Sequence, residues 1–183
     1  MAGGPKVAIL GAGSVGCFIG GAWAFAGVRV TFIGRQKLAK DVDAHGLTLS
    51  DYSGWQAHLA PGDVDFRCGP EALEEAQVIV LCVKSGDTAA AVREIAEHGI
   101  PGATVISFQN GVSNVDVLER GLAGRFEIAR GMGAWANVRN SRRIALNMRF
   151  CEPTTAREMR LRGGWLKTSA RSAWSAAAPS SFS

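Results

Sequence analysis

Three glycines, Gly11, Gly13 and Gly16, follow an apolar run at the spacing G-x-G-x-x-G in VAILGAGSVG. That spacing suits a backbone that must come close to a pyrophosphate. The first glycine permits a tight turn, the second removes the side chain that would strike the phosphates, and the third lets a helix pack closely on a strand. With Ala12, Ser14 and Val15 between them, these residues would open a helix whose N–H groups and positive dipole end face an anion. A dinucleotide site must also read a ribose. An acidic residue about twenty positions on marks NAD, but the stretch Phe32-Ile33-Gly34-Arg35 brings a base, with no acid before Asp41. Arg35 suits a bidentate pair with a 2′-phosphate, and Gly34 would leave room for it. The expected cofactor is therefore NADP. The plainer reading of the same residues is a small-residue helix packed on a sheet with no ligand, and a solvated Arg35.

Two further residues stand where ligands bind in open α/β sheets, beyond the carboxyl ends of strands. Lys84 follows the apolar run QVIVLCV, and Asn110 follows ATVISFQ. A lysine there is either a cofactor neighbour or the first residue of a surface loop. An asparagine amide offers both a donor and an acceptor to a carboxamide or a substrate oxygen, yet Asn-Gly is also a turn dipeptide that needs no ligand.

For these residues to meet, the chain must alternate strands and helices. Residues 6–10 read as a strand buried on both faces, 14–26 as a helix, and 28–33 as a second strand, which together make one βαβ unit. Residues 36–45 are expected to be helical. Residues 46–68 break into short strand-like pieces (LTLS, WQAHLA, VDFRC) and read as antiparallel ribbons or an excursion at a sheet edge. Pro70 opens a short helix, 77–83 is a strand, and Asp87 or Thr88 caps a helix with Ala91, Ile95 and Ala96 facing inward. Strand 103–108, helix 112–120 and strand 126–129 complete the pattern. The fold class is α/β, a doubly wound parallel sheet of the Rossmann type, over residues 1–138.

Residues 139–183 read as an irregular basic tail. They hold eight arginines and Lys167 against Glu152 and Glu158, a net +7, whereas the first 138 residues carry 11 basic and 14 acidic groups, a net −3. The overall charge of +4 therefore says little about the domain's partners. The tail shows no sustained period and ends in a Ser/Ala/Pro run. Its arginines would attract phosphate without specificity, so no specific nucleic-acid partner is expected. Cys17, Cys68, Cys82 and Cys151 lack both C-x-x-C pairing and metal spacing, which points to thiols in a reducing compartment. The apolar stretch 7–28 is broken by glycines and by two periodicities, which argues against a membrane span or signal peptide. Cytoplasm is the expected location.

Taken together, ILGAGSVGCFIGGAWAFAG, IGR, LCVKSGDT and ISFQNGVSN resemble the nucleotide-binding domain of the ketopantoate reductase (2-dehydropantoate 2-reductase) family over about residues 6–138. The resemblance implies an NADPH-dependent reductase of a small 2-keto acid on the path to pantothenate and coenzyme A. It implies cofactor contacts from residues 11–16, Arg35 and Lys84, and places Asn110 near the nicotinamide and the substrate. It also implies a separate helical domain whose lysine polarises the substrate carbonyl. The tail shows no such domain, and Lys167 is a poor substitute for that lysine, so no catalytic residue is assigned. A shifted reading frame or truncation near 137–140 is expected, leaving a chain that binds NADPH but turns over little. Two alternatives stay open: an NADP-binding module without activity, and a reductase of another 2-keto or hydroxy acid.

Overall fold

The computed structural model describes residues 4–51, 54–109, 113–130, 134–139, 144–149, 160–161 and 164–165. Asn110, Lys167 and most of the tail expected after residue 138 lie outside the described residues.

The first unit is strand β1 (Val7–Leu10), helix α1 (Ser14–Phe25) and strand β2 (Val30–Ile33), with the turn at Gly27 held at a φ of 86°. Helix α2 (Gln36–His45) leads to β3 (Leu47–Asp51), β4 (Gln56–Leu59) and β5 (Asp65–Arg67). A 3-10 turn at Pro70–Glu75 precedes β6 (Val78–Leu81), and another at Ser85–Asp87 runs into α3 (Thr88–His98). Then follow β7 (Thr104–Ser107), α4 (Ser113–Leu122) and β8 (Glu127–Arg130). Strands β9 (Ala134–Arg139) and β10 (Ile144–Arg149) lie either side of the compositional change, and β11 (Arg160–Leu161) pairs with β12 (Gly164–Trp165).

Among the described residues the main sheet has the order β5-β2-β1-β6-β7-β8, and every pairing in it is parallel. This is the doubly wound arrangement expected from the sequence. Burial on both faces explains the unbroken apolar text of the central strands: Ala8, Ile9, Ile79, Val80 and Leu81 are fully buried. Side chains alternate between two cores. Val7 and Ile9 join Phe18, Phe32 and Leu49 on one face, while Ala8 and Leu10 join Ile95, Leu118 and Leu122 on the other.

Residues 46–68 divide between two sheets. β3 and β4 form an antiparallel pair, as expected, in a second sheet of order β4-β3-β10-β9. β5 instead joins the main sheet beside β2, anchored by Phe66 stacked on Phe32 at 6.1 Å. The second sheet covers the outer side of α1. Helix α1 is apolar nearly all round and must be covered on both sides. Gly16 and Gly20 face β1 and β2, whereas a side chain at Gly21 would strike Leu49 Cδ1 at 2.8 Å. Small residues on two sides of one helix thus let two sheets close on it.

Candidate functional site

The strand order reverses between β1 and β6, and the loops leaving their carboxyl ends meet there. Gly11 has a φ of 94°, and a Cβ on it would lie 2.6 Å from the Val83 backbone nitrogen and 2.8 Å from the Cys82 carbonyl carbon. Only glycine fits that left-handed, crowded position. The turn hooks back on β2: the N–H groups of Gly11 and Ala12 donate to the Ile33 carbonyl at 3.1 and 2.9 Å, and Gly13 N–H donates to the Gly11 carbonyl at 2.7 Å. Gly16 brings α1 onto β1, since a Cβ there would meet the Gly11 oxygen at 2.6 Å and Ile9 Cγ2 at 2.8 Å.

Gly13 differs from both. A side chain there would meet nothing within 4 Å, so packing does not account for this glycine. The open space lies at the N-terminus of α1, whose first intrahelical bond is Cys17 N–H to the Gly13 carbonyl. The N–H groups of Ser14, Val15 and Gly16 therefore have no partner in the preceding turn. No side chain caps this end and no acid stands in its first turn. The donors of residues 11–13 are spent inside the turn, and those of 14–16 find no backbone acceptor outside the helix. Ala12 is itself core, its methyl buried beneath the loop.

Arg35 lies two residues beyond β2, after Gly34, and sits at the N-cap of α2, exposed, with no acceptor engaging it among the described residues. Gly34 also has a packing role that was not expected. Its Cβ direction is taken by Phe66 Cζ at 2.9 Å and the Ala12 methyl at 3.0 Å, so this glycine accommodates the β5 aromatic ring. Lys84 is exposed at the start of the 3-10 turn beyond β6. Asn110 falls outside the described residues.

Sequence reasoning missed a partly buried polar cluster that ties the loops after β6 and β7 together. The Gln109 amide donates to the Val83 carbonyl at 3.0 Å and to the Thr88 hydroxyl at 2.8 Å. Thr88 donates to the Ser85 carbonyl at 2.9 Å, with Asn114 Oδ1 at 3.3 Å, and Asn114 Nδ2 donates to Ser85 Oγ at 3.0 Å. Thr88 and Asn114 are both buried. Of the two residues expected to cap this helix, Asp87 takes the N-cap position, without a side-chain cap hydrogen bond, and Thr88 is the first residue of α3, its hydroxyl turned into this cluster. The only signal in the text was the density of Gln, Asn, Ser and Thr in KSGDT and QNGVSN.

Burial raises Cys17 from 9.0 to about 12, and burial together with Cys17 raises Cys82 to about 12. Both thiols should resist alkylation at about pH 8 in the folded protein. Above about pH 9 the unfolded chain releases thiol protons that the folded chain keeps, so stability should fall as pH rises toward 12. The fall should be smaller in Cys17→Ala; rapid labelling of folded Cys17 at about pH 8 would overturn this. Among the described residues no cluster of His, Cys, Asp or Glu is placed to hold a metal, and no helix is long and apolar enough to cross a membrane. A cavity of about 330 Å³ at the amino end of the sheet is lined by Lys6, Arg29, Asp63, Asp65 and Glu75. It lies on the edge opposite the glycine turn, and Lys6 is already paired with Glu75.

Fold and site together define a doubly wound α/β domain of the Rossmann type, with its glycine turn at the switch point of the sheet. The family model described as "Ketopantoate reductase PanE/ApbA" matches residues 7–147, and the chain belongs to this family. It is 33% identical over 114 residues to the 2-dehydropantoate 2-reductase of Halobacterium salinarum, covering 62% of this chain and 36% of that protein. It is 35% identical over 111 residues to that of Pyrococcus abyssi, covering 61% and 35%. The chain thus spans little more than a third of the curated relatives it matches. A crystal structure of a PanE/ApbA family ketopantoate reductase from Ralstonia eutropha superposes with a TM-score of 0.67 at 33% identity, covering 78% of this chain and 46% of that one. The fold is also shared with a D-mandelate dehydrogenase solved with NADH and anilino(oxo)acetate, at a TM-score of 0.62 and 21% identity.

Proposed function

We propose that this chain is the cofactor-binding part of an NADPH-dependent reductase that converts 2-dehydropantoate to pantoate, in the cytoplasmic synthesis of pantothenate and coenzyme A. The observation that carries the reading is the open space at Gly13, over an uncapped helix N-terminus, within the segment that the family model matches. Such a space fits a pyrophosphate, held by the N–H groups of Ser14, Val15 and Gly16 beside the turn at Gly11 and Ala12. Arg35 would pair with the 2′-phosphate. Lys84, and Asn110 by resemblance, would stand toward the nicotinamide, with Asn110 also touching substrate. When bound, NADPH supplies the hydride; this chain's part is to hold and orient it. We place the nucleotide domain at residues 1–138 and a basic tail after it; the family match runs on through residue 147, past the departure expected near 137–140.

The test is a titration with both cofactors. A charge-assisted pair to the 2′-phosphate makes NADPH tighter than NADH by roughly ten- to a hundredfold, and Arg35→Ala should remove most of that margin. Equal affinities in the parent would sink the assignment of NADP. Lys84→Ala, at an exposed position, should change unfolding stability by less than about 0.5 kcal/mol. A second reading, reduction of another 2-keto acid, is favoured by the shared fold of the D-mandelate dehydrogenase. NADPH consumption on adding such an acid, and none on adding ketopantoate, would select it.

A further inference from the structure

We propose that Gln109 and Thr88 are positioning residues that fix the Lys84 backbone for the nicotinamide half of the cofactor. This rests on the NADPH reading above. The main-sheet ladder gives out just before Lys84: Phe108 N–H donates to the Leu81 carbonyl at 3.0 Å, and Cys82 N–H to the Leu10 carbonyl at 2.8 Å. Beyond that point side chains take over. Both N–H donors of the Gln109 amide are committed, one to the Val83 carbonyl at 3.0 Å and one to Thr88 Oγ1 at 2.8 Å. The Val83 oxygen only accepts, so the amide nitrogen must face it, and Gln109 has one orientation. Thr88, having accepted from Gln109, directs its own proton to the Ser85 carbonyl at 2.9 Å. Asn114 holds the Ser85 hydroxyl from the other side at 3.0 Å. Lys84 therefore lies between two anchored neighbours, Val83 and Ser85. Its side chain is exposed, but its point of departure is fixed by a cluster that includes the buried Thr88 and Asn114.

The arrangement costs buried polar groups and ties two loops together where a turn of ordinary loop residues would close the chain. A fixed lysine is what a ligand group requires, since ordering it in advance spares that cost on binding.

The experiment compares NADPH with 2′,5′-ADP, which carries the 2′-phosphate but no nicotinamide. Gln109→Glu keeps the shape of the side chain and removes the donors. It should weaken NADPH by about tenfold, the effect of losing one well-placed hydrogen bond, and leave 2′,5′-ADP unchanged. Thr88→Val should act in the same direction, and Thr88→Ser, which keeps the hydroxyl, should restore NADPH binding. Equal weakening of both ligands, or unchanged NADPH affinity, overturns the proposal and leaves the cluster a structural clamp. Should Gln109→Glu fail to fold, the Thr88→Val and Thr88→Ser pair decides on the same split. A parent protein that binds neither ligand overturns the cofactor reading itself, and this inference with it.

Discussion

Gly13→Ala is expected to keep the fold and lose the cofactor, whereas Gly11→Ala is expected to lose the fold. Each adds one methyl group, two residues apart, but the methyl groups arrive in different surroundings. At Gly11 the backbone is left-handed and the Val83 nitrogen waits 2.6 Å away. Backbone cannot step aside as a flexible side chain does, so the cost should be about 3 kcal/mol or more. At Gly13 the φ of −94° suits any residue and the space is open. The loss there is that of a poorer helix cap, no more than about 1 kcal/mol. In the proposed complex that space holds pyrophosphate, and a methyl in it should weaken NADPH on the order of a hundredfold, about 2.7 kcal/mol. Thermal unfolding without ligand and NADPH titration separate the two effects. If Gly13→Ala proves as destabilising as Gly11→Ala, the role of Gly13 is packing and the phosphate reading loses its support.

The second large effect is expected at Leu49. This side chain is fully buried in β3 and reaches α1 at Gly21. Leu49→Ala should destabilise the protein by about 2–5 kcal/mol, the range for emptying a well-packed leucine site. The denaturant midpoint should fall while its slope stays constant, because the small sheet and the main sheet share α1 and melt as one unit. Thr48→Ala, next in the strand but facing away toward His58, should cost far less. A silent Leu49→Ala would mean that the second sheet adds nothing to the stability of the nucleotide-binding core.

The strands of the parallel sheet were legible because burial on both faces leaves an unmistakable apolar run, as in Val78–Leu81. Pairing was harder to read. Residues 56–59 alternate faithfully between exposed and buried, but alternation says which side faces inward, not which strand lies alongside. Hence β4 and β5, close in sequence, could not be assigned to different sheets. At the site, Gly11 and Gly16 were legible because a spacing constrained from both ends has few causes. The packing of Gly34 against the Phe66 ring could not be read, because Phe66 comes from a strand whose placement was itself not legible. Gln109 and Thr88 escaped for a related reason: a hydrogen-bonded cluster is defined by geometry between loops, and composition only hints at it.

The position of α1 between two sheets also has a consequence for synthesis on the ribosome. This helix is made before β3 and β4 that cover it, and β10, which pairs with β3 at Ile144–Leu49, comes later still. Through that interval the nascent chain carries an apolar helix with one flank bare, including the ring of Phe18, which in the folded protein meets Trp55 edge-on at 6.2 Å. Long-range pairing of this kind closes slowly and leaves hydrophobic surface exposed to other chains meanwhile. The helix proposed to present its tip to the cofactor is thus also one that leaves apolar surface uncovered while the rest of the domain is made.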